Sequence, residues 1–205
     1  ANTTASYNTA IGYNSLGSNT TGQWNTAVGA HALDNNTDGQ TNSALGYQAL
    51  TANTGGDDNV AVGHEAMQSN TTGGQNVALG RDALTSNTTA SQNTAVGYLC
   101  MEDNTTGTRN VAVGYQALKD NTTNNDNTAV GYYALATCNG GYENTAIGRN
   151  AMASMTTGAM NTAVGVQALN TATTGNNNSM YGMYSGQSIT TGGANTGVGY
   201  MSLYG

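Results

Sequence analysis

The sequence predicts an all-β fold: a β-solenoid (parallel β-roll or β-helix) of twelve 17-residue coils, forming a single repeat array over residues 1–205. Three observations lead there. A Gly recurs every 17 residues from Gly12 and Gly29 to Gly199 without insertion or deletion, and an Asn precedes it by four residues in all twelve copies, from Asn8 to Asn195. Self-similarity at a short fixed period marks a solenoid or fibre. The unit, N-T-A-V-G-Y-Q-A-L-x-x-N-T-T-G-x-x, is too short for paired helices, which need roughly 33 residues or more. Its Val, Thr and Gly content favours strand and turn.

Each coil divides into four elements. Asn-Thr-Ala-Val reads as a strand, the Gly as a corner, Tyr-Gln-Ala-Leu as a second strand, and Asn-Thr-Thr-Gly as the return turn. Coils that hydrogen-bond to the ones above and below cannot change length, which explains the absence of indels. At strand spacing of about 4.8 Å, twelve coils give a rod on the order of 60 Å. Side chains alternate along a strand, so the Val and Thr positions point one way and the Ala between them the other. That Ala (Ala10, Ala27, Ala44, Ala61, Ala78, Ala95, Ala112, Ala129, Ala146, Ala163) is kept in ten of twelve copies. If the Val position fills the coil, the Ala column faces out, and its constancy predicts a subunit interface. The thin core of each coil agrees, because small cores are usually completed by a staple or by oligomerisation. A multimer wound around a shared axis would supply the missing burial.

The return-turn Asn column is unbroken through Asn19, Asn36, Asn53, Asn70, Asn87, Asn104 and Asn121, then becomes Cys138, Met155, Ala172 and Ile189. A column that turns apolar four times running should point inward, so these Asn residues are expected to form a buried hydrogen-bonded ladder. The coils over residues 178–205 are irregular (Met180, Tyr181, Tyr184, Gly186) and suggest a change of cross-section. Asn2-Thr3-Thr4 matches the turn of a preceding coil, which predicts that the chain enters in mid-repeat.

Composition removes several function classes. Only 7% of residues are charged, there is no Pro, and the net charge of −7 rests on 11 acids against four bases. Four scattered cations make no basic stripe for a phosphate backbone, so no nucleic-acid partner is expected. No apolar run approaches the roughly 20 residues of a membrane span. The fixed spacing of apolar residues argues against disorder.

Repeats such as Asn110-Val-Ala-Val-Gly-Tyr-Gln-Ala-Leu118 and Asn127-Thr-Ala-Val-Gly-Tyr132 resemble the NTAVGYQAL arrays of tail-fibre-domain proteins of phages and bacteria. More distantly, the Asn-x-Ala-Val-Gly core resembles the head repeats of YadA-type trimeric autotransporter adhesins, which are trimers of parallel β-rolls. The resemblance covers the whole chain and implies an intertwined or side-by-side homotrimeric fibre with a structural or host-binding role, without catalysis, in a virion tail fibre or at a cell surface.

Candidate chemistry is sparse. Cys100 and Cys138 occupy different columns two coils apart, beyond disulfide reach. His31 and His64 have no Cys or second His at ligand spacing, so no metal and no cofactor are expected. Asp103 below Asp120, and Asp126 below Glu143, could hold Ca²⁺, but Lys119 over Glu102 and Arg109 over Asp126 favour a solvated charge ladder. The sequons at Asn19, Asn70 and Asn87 are more simply structural. The Tyr column (Tyr13, Tyr47, Tyr98, Tyr115, Tyr132, Tyr200) could stack sugars or serve as packing. No catalytic set is present. The expected function is therefore a fibre shaft that self-assembles and contributes to glycan attachment. A bacterial trimeric surface adhesin is the alternative. An ice-binding solenoid comes third, because the paired threonines sit in the return turn and not on a strand.

Overall fold

The computed structural model describes residues 4–204. The expectation of a mid-repeat entry rests on Ala1, Asn2 and Thr3, which lie outside the described residues. Each copy of the first segment forms one three-residue strand, beginning with β1 (Thr9–Ile11), β2 (Thr26–Val28) and β3 (Ser43–Leu45) and ending with β12 (Thr196–Val198). The twelve strands form a single sheet in sequence order, and neighbours pair in parallel. Ala27 pairs with Ala44 and Ala44 with Ala61, the 17-residue offset. No helix occurs among the described residues. The chain is an all-β parallel solenoid.

The second strand is not formed. Gln116 and Leu118 in the Tyr-Gln-Ala-Leu segment both have φ of 51°, and the same two columns are left-handed in nearly every coil. Extended backbone there would carry the chain straight on, whereas a 17-residue coil has to turn. The inter-coil hydrogen bonds survive this. The Gln116 N–H donates back to the Tyr98 carbonyl at 3.0 Å, and the Leu118 N–H donates forward to the Ala134 carbonyl at 3.0 Å. Left-handed non-Gly residues cost about 1–2 kcal/mol each, and ladder bonds on both sides of the coil offset that strain.

The strand faces are opposite to those predicted. From Ala27 to Ala163 the strand Ala column is buried in the single chain, while the flanking positions are exposed or half-buried. Ala27, Ala44, Ala61, Ala78, Ala95, Ala112, Ala129, Ala146 and Ala163 are therefore core residues and not a subunit interface. Ala10, in the first strand, is exposed. The reason is width. In cross-section a coil such as Asn59–Gly73 encloses Asn59, Ala61, Ala66, Met67 and Asn70, one large side chain together with two Ala and two Asn. A Val facing inward from the strand would collide with that set.

The irregular C-terminal coils keep the register, with Met180 paired to Gly197 in the last strand pair. Met180 is fully buried at an Ala position. Gly186 stands where the other coils carry Leu or Met, and a Cβ there would come within 2.9 Å of the Met180 side chain. The large core side chain is supplied from the opposite wall and fills the same space.

Candidate functional site: asparagine ladders and the outward strand face

The return-turn Asn residues lie inside. Asn19, Asn36, Asn53, Asn70, Asn87, Asn104 and Asn121 have no exposed surface. Asn70 Nδ2 donates to Asn53 Oδ1 at 2.9 Å and to the Gly73 carbonyl at 3.0 Å. Asn87 Nδ2 in turn donates to Asn70 Oδ1 at 2.7 Å. With their amides buried and committed, Asn19, Asn70 and Asn87 are not glycan acceptors in the folded chain. The ladder stops where Cys138 replaces Asn, and Asn121 Oδ1 is left buried without a hydrogen-bond partner. Cys138, Met155 and Ala172 continue the column as a buried apolar stack, with Ile189 packed against it.

A second ladder runs through the Asn before each strand. The Asn59 backbone N–H donates to Asn42 Oδ1 at 3.0 Å, and Asn59 Nδ2 donates to the Gly73 carbonyl at 2.8 Å. Each side chain thus accepts from the next coil's backbone and donates to its own return turn. Only a short side chain with a donor and an acceptor does both, which is why the column is Asn throughout. The constancy from Asn8 to Asn195 was the available signal for this role.

The face the Ala column vacates is turned outward and is uncharged. Its two columns are Thr, Ser or Val at the first strand position and aliphatic, with one Tyr, at the third. Leu45 is 50% exposed and Ile147 40%. Past the Gly corner runs the Tyr column. Tyr98, Tyr115 and Tyr132 stack with ring centres 5.5 and 5.2 Å apart, and Tyr133 meets Tyr132 edge-on at 4.5 Å. Beside them is an open depression of about 520 Å³ lined by residues that include Tyr132, Tyr133, Lys119, Asp120, Gln116 and Asn150. It exists because Ala136 and Ala153 stand in the column that carries Glu102 and Lys119 in the coils before.

Charged groups pair along the surface. Lys119 Nζ lies 3.3 Å from Asp103, 3.3 Å from Asp120 and 3.4 Å from Glu102. Partial burial opposes the Lys119 charge, and Asp103 and Asp120 outweigh it, holding the ammonium above its ordinary range. Arg109 grips Asp126 with two bonds of 2.7 and 2.9 Å. Hydrogen bonding from Arg109 holds the Asp126 carboxyl below the usual carboxylate range. Both cysteines are free and buried. Burial pushes the Cys100 thiol up to about 12. His31 Nδ1 lies 2.7 Å from Asp34 Oδ2, and His64 Nδ1 lies 3.7 Å from Glu65 and 3.9 Å from Asp82. The second cluster escaped the sequence reading, although Glu65 and Asp82 are 17 residues apart and so share a column. No helix among the described residues is long and apolar enough to cross a membrane.

Comparison with family models, curated proteins and solved structures returned no match.

Proposed function

We propose that the chain is a segment of a non-catalytic, homo-oligomeric fibre shaft, of a phage tail fibre or a fibre-like appendage outside the cell. The observation that carries this reading is the outward strand face: two uncharged columns repeated without a break along the sheet. An uncharged stripe with an exposed aliphatic column marks an interaction surface, and parallel copies of it match one another in period. Three residues at about 3.3 Å by twelve strands at about 4.8 Å give a projected area of roughly 570 Å². A standard interface needs roughly 800 Å² per partner, so the neighbouring Tyr column has to share in the contact. A trimer about a common axis uses both flanks of the stripe.

Light scattering on the purified chain tests this. A trimer has three times the 20.8 kDa of one chain. Replacing Val62, Leu79 and Val96 together by Lys is expected to give a monomer with an unchanged β-type circular dichroism spectrum. A wild-type monomer at micromolar concentration would refute the assembly. For glycan attachment, the depression beside Tyr132 and Tyr133 combines ring faces with carboxylate, ammonium and amide groups, the mixture that packs and hydrogen-bonds a sugar. Tyr132→Ala should then abolish binding to whole-cell polysaccharide.

An ice-binding face is the second reading, and one observation favours it. Thr94, Thr128, Thr145 and Thr162 stand on the outward strand face, each two residues from an aliphatic side chain. Measured thermal hysteresis in the wild type would select that reading over the shaft.

A further inference from the structure

We propose that His64, Glu65 and Asp82 form a surface site for a divalent transition-metal ion of the zinc class. Independent of the shaft reading, it rests on four features of two adjacent coils. The three ligand atoms converge. His64 Nδ1 is 3.7 Å from Glu65 Oε1 and 3.9 Å from Asp82 Oδ1, and all three lie within 4.8 Å of one another. Ligands about 2.1 Å from a tetrahedral ion sit roughly 3.4 Å apart. Small rotations of the exposed His64 ring and of the flexible Glu65 side chain close the difference.

The second feature is an oxygen without a partner. Asp82 Oδ1 is buried and accepts no hydrogen bond, and the side chain as a whole is only 14% exposed. Its other oxygen is occupied by Arg81 Nε at 3.1 Å. The Arg81 guanidinium carbon lies 5.9 Å from the Tyr98 ring centre, on the following coil. Arg81 thus neutralises part of the Asp82 charge from the side of Oδ2, and with Glu65 included the two carboxylates still outnumber it.

Third, the backbone fixes the ligands. The Asp82 N–H donates to the His64 carbonyl at 3.0 Å, and the Glu65 N–H donates to the Tyr47 carbonyl at 2.9 Å. Two of the three ligands are thus joined by a ladder bond, and all sit on a rigid stack, which suits a site that must hold its geometry. Fourth, the arrangement is unusual within the repeat. Glu65 and Asp82 are the only acids in a column that otherwise carries Asn, Gln, His, Leu, Tyr or Met, and they sit one above the other next to His64. An imidazole with two carboxylates selects zinc-class ions over Mg²⁺ or Ca²⁺, which prefer all-oxygen sets. Three protein ligands leave one coordination position for water or for a donor from another molecule.

Isothermal titration of the untagged chain with ZnCl₂ tests the site, with MgCl₂ as the control. One Zn²⁺ per chain is expected to bind at micromolar metal, and Mg²⁺ should give no heat. His64→Ala and Asp82→Asn should each weaken Zn²⁺ binding about tenfold or more. His31→Ala, at the other histidine, should leave it unchanged. Circular dichroism of each variant controls for folding, and a rise in the wild-type melting temperature with ZnCl₂ that His64→Ala lacks gives an independent readout. The proposal is overturned if wild type takes up no Zn²⁺ at millimolar metal. It is equally overturned if His64→Ala binds as wild type does, or if the loss follows His31→Ala.

Discussion

Asn70→Ala and Asn121→Ala delete the same amide from the same column, and the structure predicts different costs for them. At Asn70 three hydrogen bonds go: those donated to Asn53 Oδ1 and the Gly73 carbonyl, and the one accepted from Asn87 Nδ2. The Gly73 carbonyl keeps Asn59 Nδ2 as a donor, and Asn87 Nδ2 keeps the Ala90 carbonyl. Asn53 Oδ1 is left buried with nothing. A buried unsatisfied acceptor costs about 1–3 kcal/mol and each further bond about 1 kcal/mol, so Asn70→Ala should cost roughly 3–5 kcal/mol. At Asn121 the donated bonds to Asn104 Oδ1 and the Asn124 carbonyl are lost. Nothing donates to Asn121 Oδ1, however, so deleting that oxygen removes a penalty of about 1–3 kcal/mol already present,. With one bond fewer to lose as well, Asn121→Ala should therefore be cheaper by about 2–4 kcal/mol. Urea unfolding followed by circular dichroism, at one fixed protein concentration, measures the difference as a shift in midpoint at constant slope. Equal midpoints would refute the claim that the Asn residues act as a directional ladder with an open end at Cys138.

Four further outcomes are expected. Gly97→Ala should disrupt the fold near the middle of the rod, because φ is +140° and a Cβ would meet the Gly114 carbonyl oxygen at 2.3 Å; loss of the cooperative unfolding transition is the readout. Cys100 and Cys138 should resist a thiol reagent in the native chain and react after denaturation. Because burial raises the folded-state pKa of Cys100 from 9.0 to about 12, its contribution to stability is fully present below pH 9 and is lost as pH rises towards 12, so urea midpoints should fall across that window. Met180→Ala should cost about 2–5 kcal/mol as a large-to-small core change. Adding Gly186→Leu should recover most of it, since the left-handed φ of 67° at Gly186 matches the 49–56° of the Leu residues in that column; a double variant no more stable than Met180→Ala would contradict the exchange of core side chains.

The coil count, the parallel stacking and the register could all be read from the 17-residue period, because a hydrogen-bonded stack permits no other spacing. The shape of each coil could not. Tyr-Gln-Ala-Leu alternates like a strand, yet Gln116 and Leu118 are left-handed. No local propensity announces left-handed backbone at Gln or Leu. The need to close the coil imposes it, and the ladder bonds on both sides stabilise it.

The inversion of the strand faces has a different origin. Constancy of a small residue across repeats has two causes, a partner chain packed outside or a narrow space inside, and sequence alone does not separate them. The alternation was correct and only its sign was open. The deciding quantity is the volume already claimed by the rest of the coil. Leu or Met, the second Ala column and two Asn residues fill the interior, so the strand can add no more than a methyl group. Met180 tests that logic within the same molecule, since a large residue enters the Ala column only in the coil where Gly186 vacates the opposite wall. Once the Ala is inside, Val and Thr have to face out, and that places the proposed subunit contact on a stripe of aliphatic and hydroxyl side chains. The His64, Glu65 and Asp82 cluster has a separate origin, in the left-handed segment past the strand corner. The stacked carboxylates Asp103 with Asp120 and Asp126 with Glu143 flank the return turn, whereas Glu65 and Asp82 lie just past the strand corner, where left-handed residues bring adjacent coils' side chains together on the surface.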